Sequence, residues 1–205
     1  MNESSRVEAF SDGVFAIAIT LLILEIKVPK VGEHGNLWHA LGAQWPSYAA
    51  YVVSFLFIGI IWINHHQLLS YVARVDRTLM FLNLLVLMVV AVVPWPTAML
   101  AEYLQEDEAS HVAAAVYSLV MVAMALAFHA LWWHLTRTGH LFDPRVDVPA
   151  ARATRVRFAL GSLAYPMTVG LAFVSAPLTL AAHGLIALYY GFNQVPVPTR
   201  DPATS

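Results

Sequence analysis

Apolar residues run almost unbroken through six stretches of this chain, and most charged residues gather between them. The stretches cover roughly residues 7–28, 46–71, 79–101, 111–135, 156–175 and 178–193. A run of about 20 apolar residues, rising 1.5 Å each, matches a hydrocarbon core about 30 Å thick. Strands in lipid would need a closed barrel and a two-residue alternation, and these runs are continuous. The pattern predicts an all-α polytopic membrane protein with six transmembrane helices. Pro46 opens the second. Pro94-Trp95-Pro96 interrupts the third, because a proline ring removes a donor and crowds the preceding turn. Pro177 separates the short fifth and sixth runs, which predicts a tight hairpin. Residues 1–193 are thus expected to form one transmembrane domain. Residues 194–205, rich in Pro and Thr, are expected to form a disordered tail.

Composition agrees with a lipid-embedded chain. Hydrophobic residues make up 59% and charged residues 12%, against roughly 45–50% and 25% in soluble domains. The N-terminus lacks the basic start and the cleavage site of a secretory signal. There is no cysteine, which excludes disulfides and thiolate chemistry. A net charge of −2 with no basic run gives nucleic acid nothing to bind.

Loop charge predicts the orientation. With a cytoplasmic N-terminus and six spans, only Lys27 and Lys30 of the eleven basic residues lie outside. Arg6, Arg74, Arg77, Arg137, Arg145, Arg152, Arg155, Arg157 and Arg200 lie inside, as the positive-inside rule requires. Both termini are then cytoplasmic. Glu25, Glu33, Glu102, Glu106, Asp107 and Glu108 would make the outer face acidic and enrich cations there. The same acidity also follows from the weak effect of carboxylates on translocation.

The first run has two chemically different sides. At 100° per residue, Gly13, Ile17, Leu21, Leu24 and Val28 fall within about 40° of one direction. Thr20 lies at the edge of that stripe, and Asp12 points to the far side. An ionisable residue in a membrane helix is costly and marks function or a buried partner. Depth places His65, His66 and Asn83 beside Ser11 and Asp12, so a polar cluster of these residues with Arg6 is expected. Its role would be to fix helix positions by hydrogen bonds; the alternative is a proton-conducting or proton-coupled path through Asp12 and His65. The apolar stripe is either ordinary packing or a constriction built by symmetric copies, since apolar rings gate by dewetting.

The run Arg6-x-x-x-Phe10-Ser11-Asp12-Gly13-Val14-Phe15-Ala16-Ile17, followed by Thr20-Leu21-Leu22-x-Leu24-Glu25, resembles the signature of the transmembrane protein 175 family. Trp62-x-x-His65-His66 at the end of the second run fits the same family. The resemblance implies a bacterial potassium channel: a homotetramer with six helices per subunit, in the inner membrane, with the first helix around a central pore. It implies apolar rings at Ile17, Leu21 and Leu24, a selectivity layer at Thr20, and packing roles for Arg6, Phe10, Ser11 and Asp12. The partners implied are monovalent cations, potassium above all, and membrane lipid, with no cofactor and no small-molecule substrate. The chain lacks the Thr-Val-Gly-Tyr-Gly filter of other potassium channels. A single hydroxyl layer predicts modest selection compared with stacked carbonyl rings.

Other signals carry less. Adjacent His65 and His66 point about 100° apart and share one metal poorly. His129 and His134 are five apart and do little better. No serine sits in a nucleophile elbow, so neither a catalytic nor a metal site is expected. Trp95, Trp132 and Trp133 are expected as interfacial anchors. Arg152, Arg155 and Arg157 are placed to meet anionic headgroups, although topology alone accounts for them.

Overall fold

The computed structural model describes residues 3–30, 35–192 and 198–199, the side chains of 157–161 excepted. The first run forms α1, Glu3–Leu21, which continues as a 3-10 turn over Leu22–Glu25. A short α2, Leu37–Ala43, follows, its first turn capped by the Asn36 side chain accepting from the Trp38 amide at 2.8 Å. The second run is α3, Trp45–Ser70, with Pro46 in its first turn where a missing N–H costs nothing. The third is α4, Arg77–Val92, and α5, Pro94–Tyr103. The fourth is the long α6, Asp107–Thr138. The fifth divides into α7, Val148–Ser162, and α8, Ala164–Ala172, and the sixth is α9, Ala176–Phe192. No strand is present among the described residues beyond two isolated bridges.

Among the described residues, four helical segments are long and apolar enough to cross a bilayer: Glu3–Glu25, Trp45–Ser70, Arg77–Tyr103 and Asp107–Thr138. The 17 residues of α9 span about 26 Å, just short of a hydrocarbon core. The expected single fifth helix is two helices. Pro166 has no N–H for the Ser162 carbonyl, and the break falls at Leu163. Its start also lies earlier, at Val148 rather than 156. Pro94 and Pro96 act in the same way, breaking the third run at Val93 while α4 and α5 still form one span-length unit.

α6 is the central post and packs against α4, α5, α7, α8 and α9. Its buried side includes Ser110, Ala113, Ala114 and Ser118, small residues that let membrane helices approach closely. Larger side chains fill the rest: Tyr117, Met121, Leu131 and Leu135 are fully buried. α9 also meets α3 closely. A Cβ added at Gly191 would lie 3.3 Å from Ile60 Cδ1.

Loops lace the arginine-rich end of the bundle. The Ala73 and Arg74 amides donate to the Leu141 carbonyl at 2.9 and 3.1 Å, and the Asp143 amide donates to Tyr71 at 2.8 Å. Asp76 caps α4 by accepting from the Leu79 amide at 2.6 Å and holds His134 of α6 at 2.9 Å. Burial opposes ionisation of Asp76, but the Leu79 amide and the His134 ring outweigh it and hold the carboxyl below its ordinary range. Two tail residues expected to be disordered are described. Pro198 accepts from the Asp147 amide at 2.9 Å, and Thr199 bridges Val146. The remaining tail and Arg200 lie outside the described residues. Trp95 and Trp133 are exposed as expected of anchors, whereas Trp132 is buried with its ring 6.0 Å from Phe142.

Candidate functional site

α1 turns one side to its neighbours and leaves the other bare. Ser11, Phe15, Ala18 and Leu22 are buried against the bundle. Their spacing of three or four residues makes a continuous helical face. Opposite them Gly13, Ile17, Thr20, Leu21 and Leu24 are exposed, Ile17 by 62% and Leu24 by 65%. No side chain lies within 4 Å of a Cβ built on Gly13. The expected stripe is therefore open within a single subunit. The 3-10 winding from Leu22 advances about 120° per residue and brings exposed Ile23 towards the same side. A uniform 100° step does not place Ile23 there.

Thr20 is the one hydroxyl on that face. Its Oγ1 lies 2.9 Å from both the Ala16 and Ile17 carbonyls. The hydroxyl proton is thus committed to the backbone, and the oxygen lone pairs remain available to a cation or water.

The polar cluster divides in two. Ser11, His65 and Asn83 meet in the core, each at most 2% exposed. Asn83 Nδ2 donates to Ser11 Oγ at 3.0 Å, and Asn83 Oδ1 lies 2.7 Å from His65 Nε2. An amide oxygen only accepts, so His65 carries its proton on Nε2. Ser11 also donates to the Val7 carbonyl at 2.8 Å. The ring of Phe15 packs 5.2 Å from that of His65. One asparagine on α4 thereby ties α1 to α3.

Asp12 sits outside this group, about 100° round the helix from Ser11. Trp62 Nε1 donates to Asp12 Oδ1 at 2.8 Å. His66 Nδ1 is 3.1 Å from Glu8 Oε1 and 3.9 Å from Asp12 Oδ2. Glu8 and Trp62 were not expected here, yet helical spacing signals both: Glu8 is four residues before Asp12 and Trp62 four before His66. Arg6 and Phe10 join neither group. They line a surface groove of about 420 Å³ between α1 and α4 that reaches Asn83 of the buried group, with Glu3, Val7, Met80 and Leu84, and Phe10 is 57% exposed. Among the described residues no three His, Asp or Glu side chains are placed to share a metal ion.

Membrane-length helices, a buried hydrogen-bonded core and one bare helix face define a polytopic α-helical membrane protein. The family profile described as endosomal/lysosomal potassium channel TMEM175 matches residues 6–94. A protein of Streptomyces collinus named a potassium channel is 88% identical over 203 residues, covering 99% of this chain and 98% of that one. A crystal structure titled as a lysosomal potassium-selective channel TMEM175 homolog from Chamaesiphon minutus superposes with a TM-score of 0.80 at 41% identity, covering 92% of this chain and 96% of that chain. The endosomal/lysosomal proton channel TMEM175 of Gallus gallus is 40% identical over 150 residues, 67% of this chain and 30% of that protein. The chain belongs to the TMEM175 family.

Proposed function

We propose that this protein is a potassium-preferring cation channel, and that α1 helices from symmetric copies surround the conduction path. The bare face of α1 carries the proposal. Ile17, Leu21 and Leu24 are large, apolar and exposed in one stripe, with Thr20 at its edge. Such a stripe around an axis makes an apolar constriction that excludes water until it widens. Thr20 would add a layer of oxygen ligands there and favour potassium modestly over sodium. The named activity of the Streptomyces and Chamaesiphon relatives supports this reading.

A homotetramer with six membrane-crossing segments per subunit completes the proposal. The α7–α8 pair and α9 would supply the fifth and sixth crossings beside the four long ones. Arginine clustering at one end supports cytoplasmic termini in a bacterial inner membrane. The partners of Asp12 and His65 favour a clamp over a proton relay, since each is bonded elsewhere: Asp12 to Trp62 and His65 to Asn83.

Proteoliposomes provide the test. A potassium gradient should collapse at a rate proportional to protein added, and a pH-sensitive dye should show no matching proton flux. Mass photometry in detergent should give a tetramer. Liposomes that stay potassium-tight would reject the channel reading, and stoichiometric proton movement would favour the relay.

A further inference from the structure

Three arginines, Arg137 of α6 and Arg152 and Arg155 of α7, gather at the end of α6, and among the described residues none of them pairs with a carboxylate. Arg152 Nε donates to the Thr136 carbonyl at 2.8 Å, and its Nη2 to the Arg137 carbonyl at 3.2 Å. Arg155 Nε donates to Thr136 Oγ1 at 2.7 Å, and its Nη2 to the Trp133 carbonyl at 3.4 Å. The bonds to the Thr136 and Arg137 carbonyls satisfy acceptors that the end of α6 leaves open. They also hold two guanidiniums in place. The Arg155 guanidinium lies 4.4 Å over the exposed Trp133 ring. Among the described residues, the charged groups whose fields reach Arg155 are Arg152 and Arg137, both cations. The C-terminal helix dipole offsets only about half a charge. Each guanidinium has five N–H donors, so about three remain on Arg152 and on Arg155.

We propose that Arg137, Arg152 and Arg155 form a binding site for the phosphodiester of one anionic phospholipid. Fixed guanidiniums recognise phosphate oxygens with little further ordering. The neighbouring surface selects a lipid over a free phosphate. Trp133 is exposed beside the cations, and Val156, the next residue after Arg155, is 68% exposed. Acyl chain and glycerol would lie on that apolar surface, at the end of a helix long enough to span the bilayer. The site differs from a general attraction of basic loops to acidic lipid. Arg145, in the adjoining loop, is already paired with Asp143 at 2.8 Å.

Native mass spectrometry of the detergent-solubilised full chain tests this, with phosphatidylglycerol, phosphatidylcholine and soluble glycerol 3-phosphate as probes. Phosphatidylglycerol should be retained in preference to phosphatidylcholine. Arg137→Gln should lower its occupancy about fivefold, the worth of one interfacial arginine. The Arg137 side chain has no hydrogen bond among the described residues, so this variant keeps the helix end intact. Arg155→Lys retains the charge but loses the fork and should weaken retention in the same direction. Arg145→Gln should bind as the parent does. Equal losses in Arg145→Gln and Arg137→Gln would overturn the proposal in favour of diffuse charge. Displacement of lipid by equimolar glycerol 3-phosphate would overturn it in favour of a free-phosphate site. Unchanged retention in both Arg137→Gln and Arg155→Lys would also overturn it.

Discussion

At the scale of single residues, Thr20 and Asn83 allow the proposed conduction role to be tested apart from architecture. Among the described residues Thr20 bonds only to its own helix, so Thr20→Ala should fold normally. Reversal potentials under bi-ionic potassium and sodium should then shift towards equal permeability while current persists; an unchanged reversal potential removes Thr20 from the selectivity layer. Asn83 bonds to two other helices. Asn83→Leu leaves His65 Nε2 and Ser11 without that partner. It should cost about 1–4 kcal/mol for the two bonds at about 0.6–2 kcal/mol per bond in membranes, read as a lower midpoint of thermal unfolding in detergent. The meeting of Ser11, His65 and Asn83 was legible in the sequence, because helix order and depth place all three at one level. Asp12 was expected in the same cluster and stands apart from it, bonded to Trp62; depth alone grouped it with Ser11, although neighbours on a helix point about 100° apart. The placement of Arg6 and Phe10 in a groove, outside both polar groups, was not legible, because hydropathy does not say what covers a helix end.

Among the elements, Asp76 joins α4 to α6 by capping one and pairing with His134 on the other. Its carboxyl titrates below the ordinary range in the folded protein. A carboxyl with a lowered folded value stabilises fully above its unfolded value, near 3.9, and that contribution is lost as pH falls through the folded value. Asp76→Asn keeps a cap acceptor but removes the charge that faces His134, so it should lower stability at neutral pH by up to about 1 kcal/mol, the usual range of a part-exposed ion pair. It should also flatten the acid limb of the unfolding midpoint against pH. A parallel offset of parent and variant down to acid pH would argue against ionisation as the source. Proline positions made the break at Val93 legible. The early start of α7 was hidden by Arg152 and Arg155, which read as loop residues until their bonds to the end of α6 are seen. α2 is seven residues long and contains His39 and Gly42, too little to set a helical pattern apart from a loop.

For the whole molecule, the question is whether the bare side of α1 meets other copies. Gly13 is the probe. It lies on that side, and a Cβ there touches nothing within its own subunit. Gly13→Leu should leave the subunit as stable as the parent or slightly more so, since leucine is the better helix former by up to about 1 kcal/mol. Yet potassium flux should fall at least tenfold if the axis runs past it. Full flux with normal assembly would place the axis elsewhere. The orientation of the Thr20 hydroxyl bears on the same geometry. Because its hydrogen is turned back into the helix, each copy would present only electron-rich oxygen to the centre. Facing oxygens of that kind repel one another, and no donor of their own is left to reconcile them. A dehydrated, ion-free ring would be the less comfortable state, and a cation or water between the oxygens would act as a keystone.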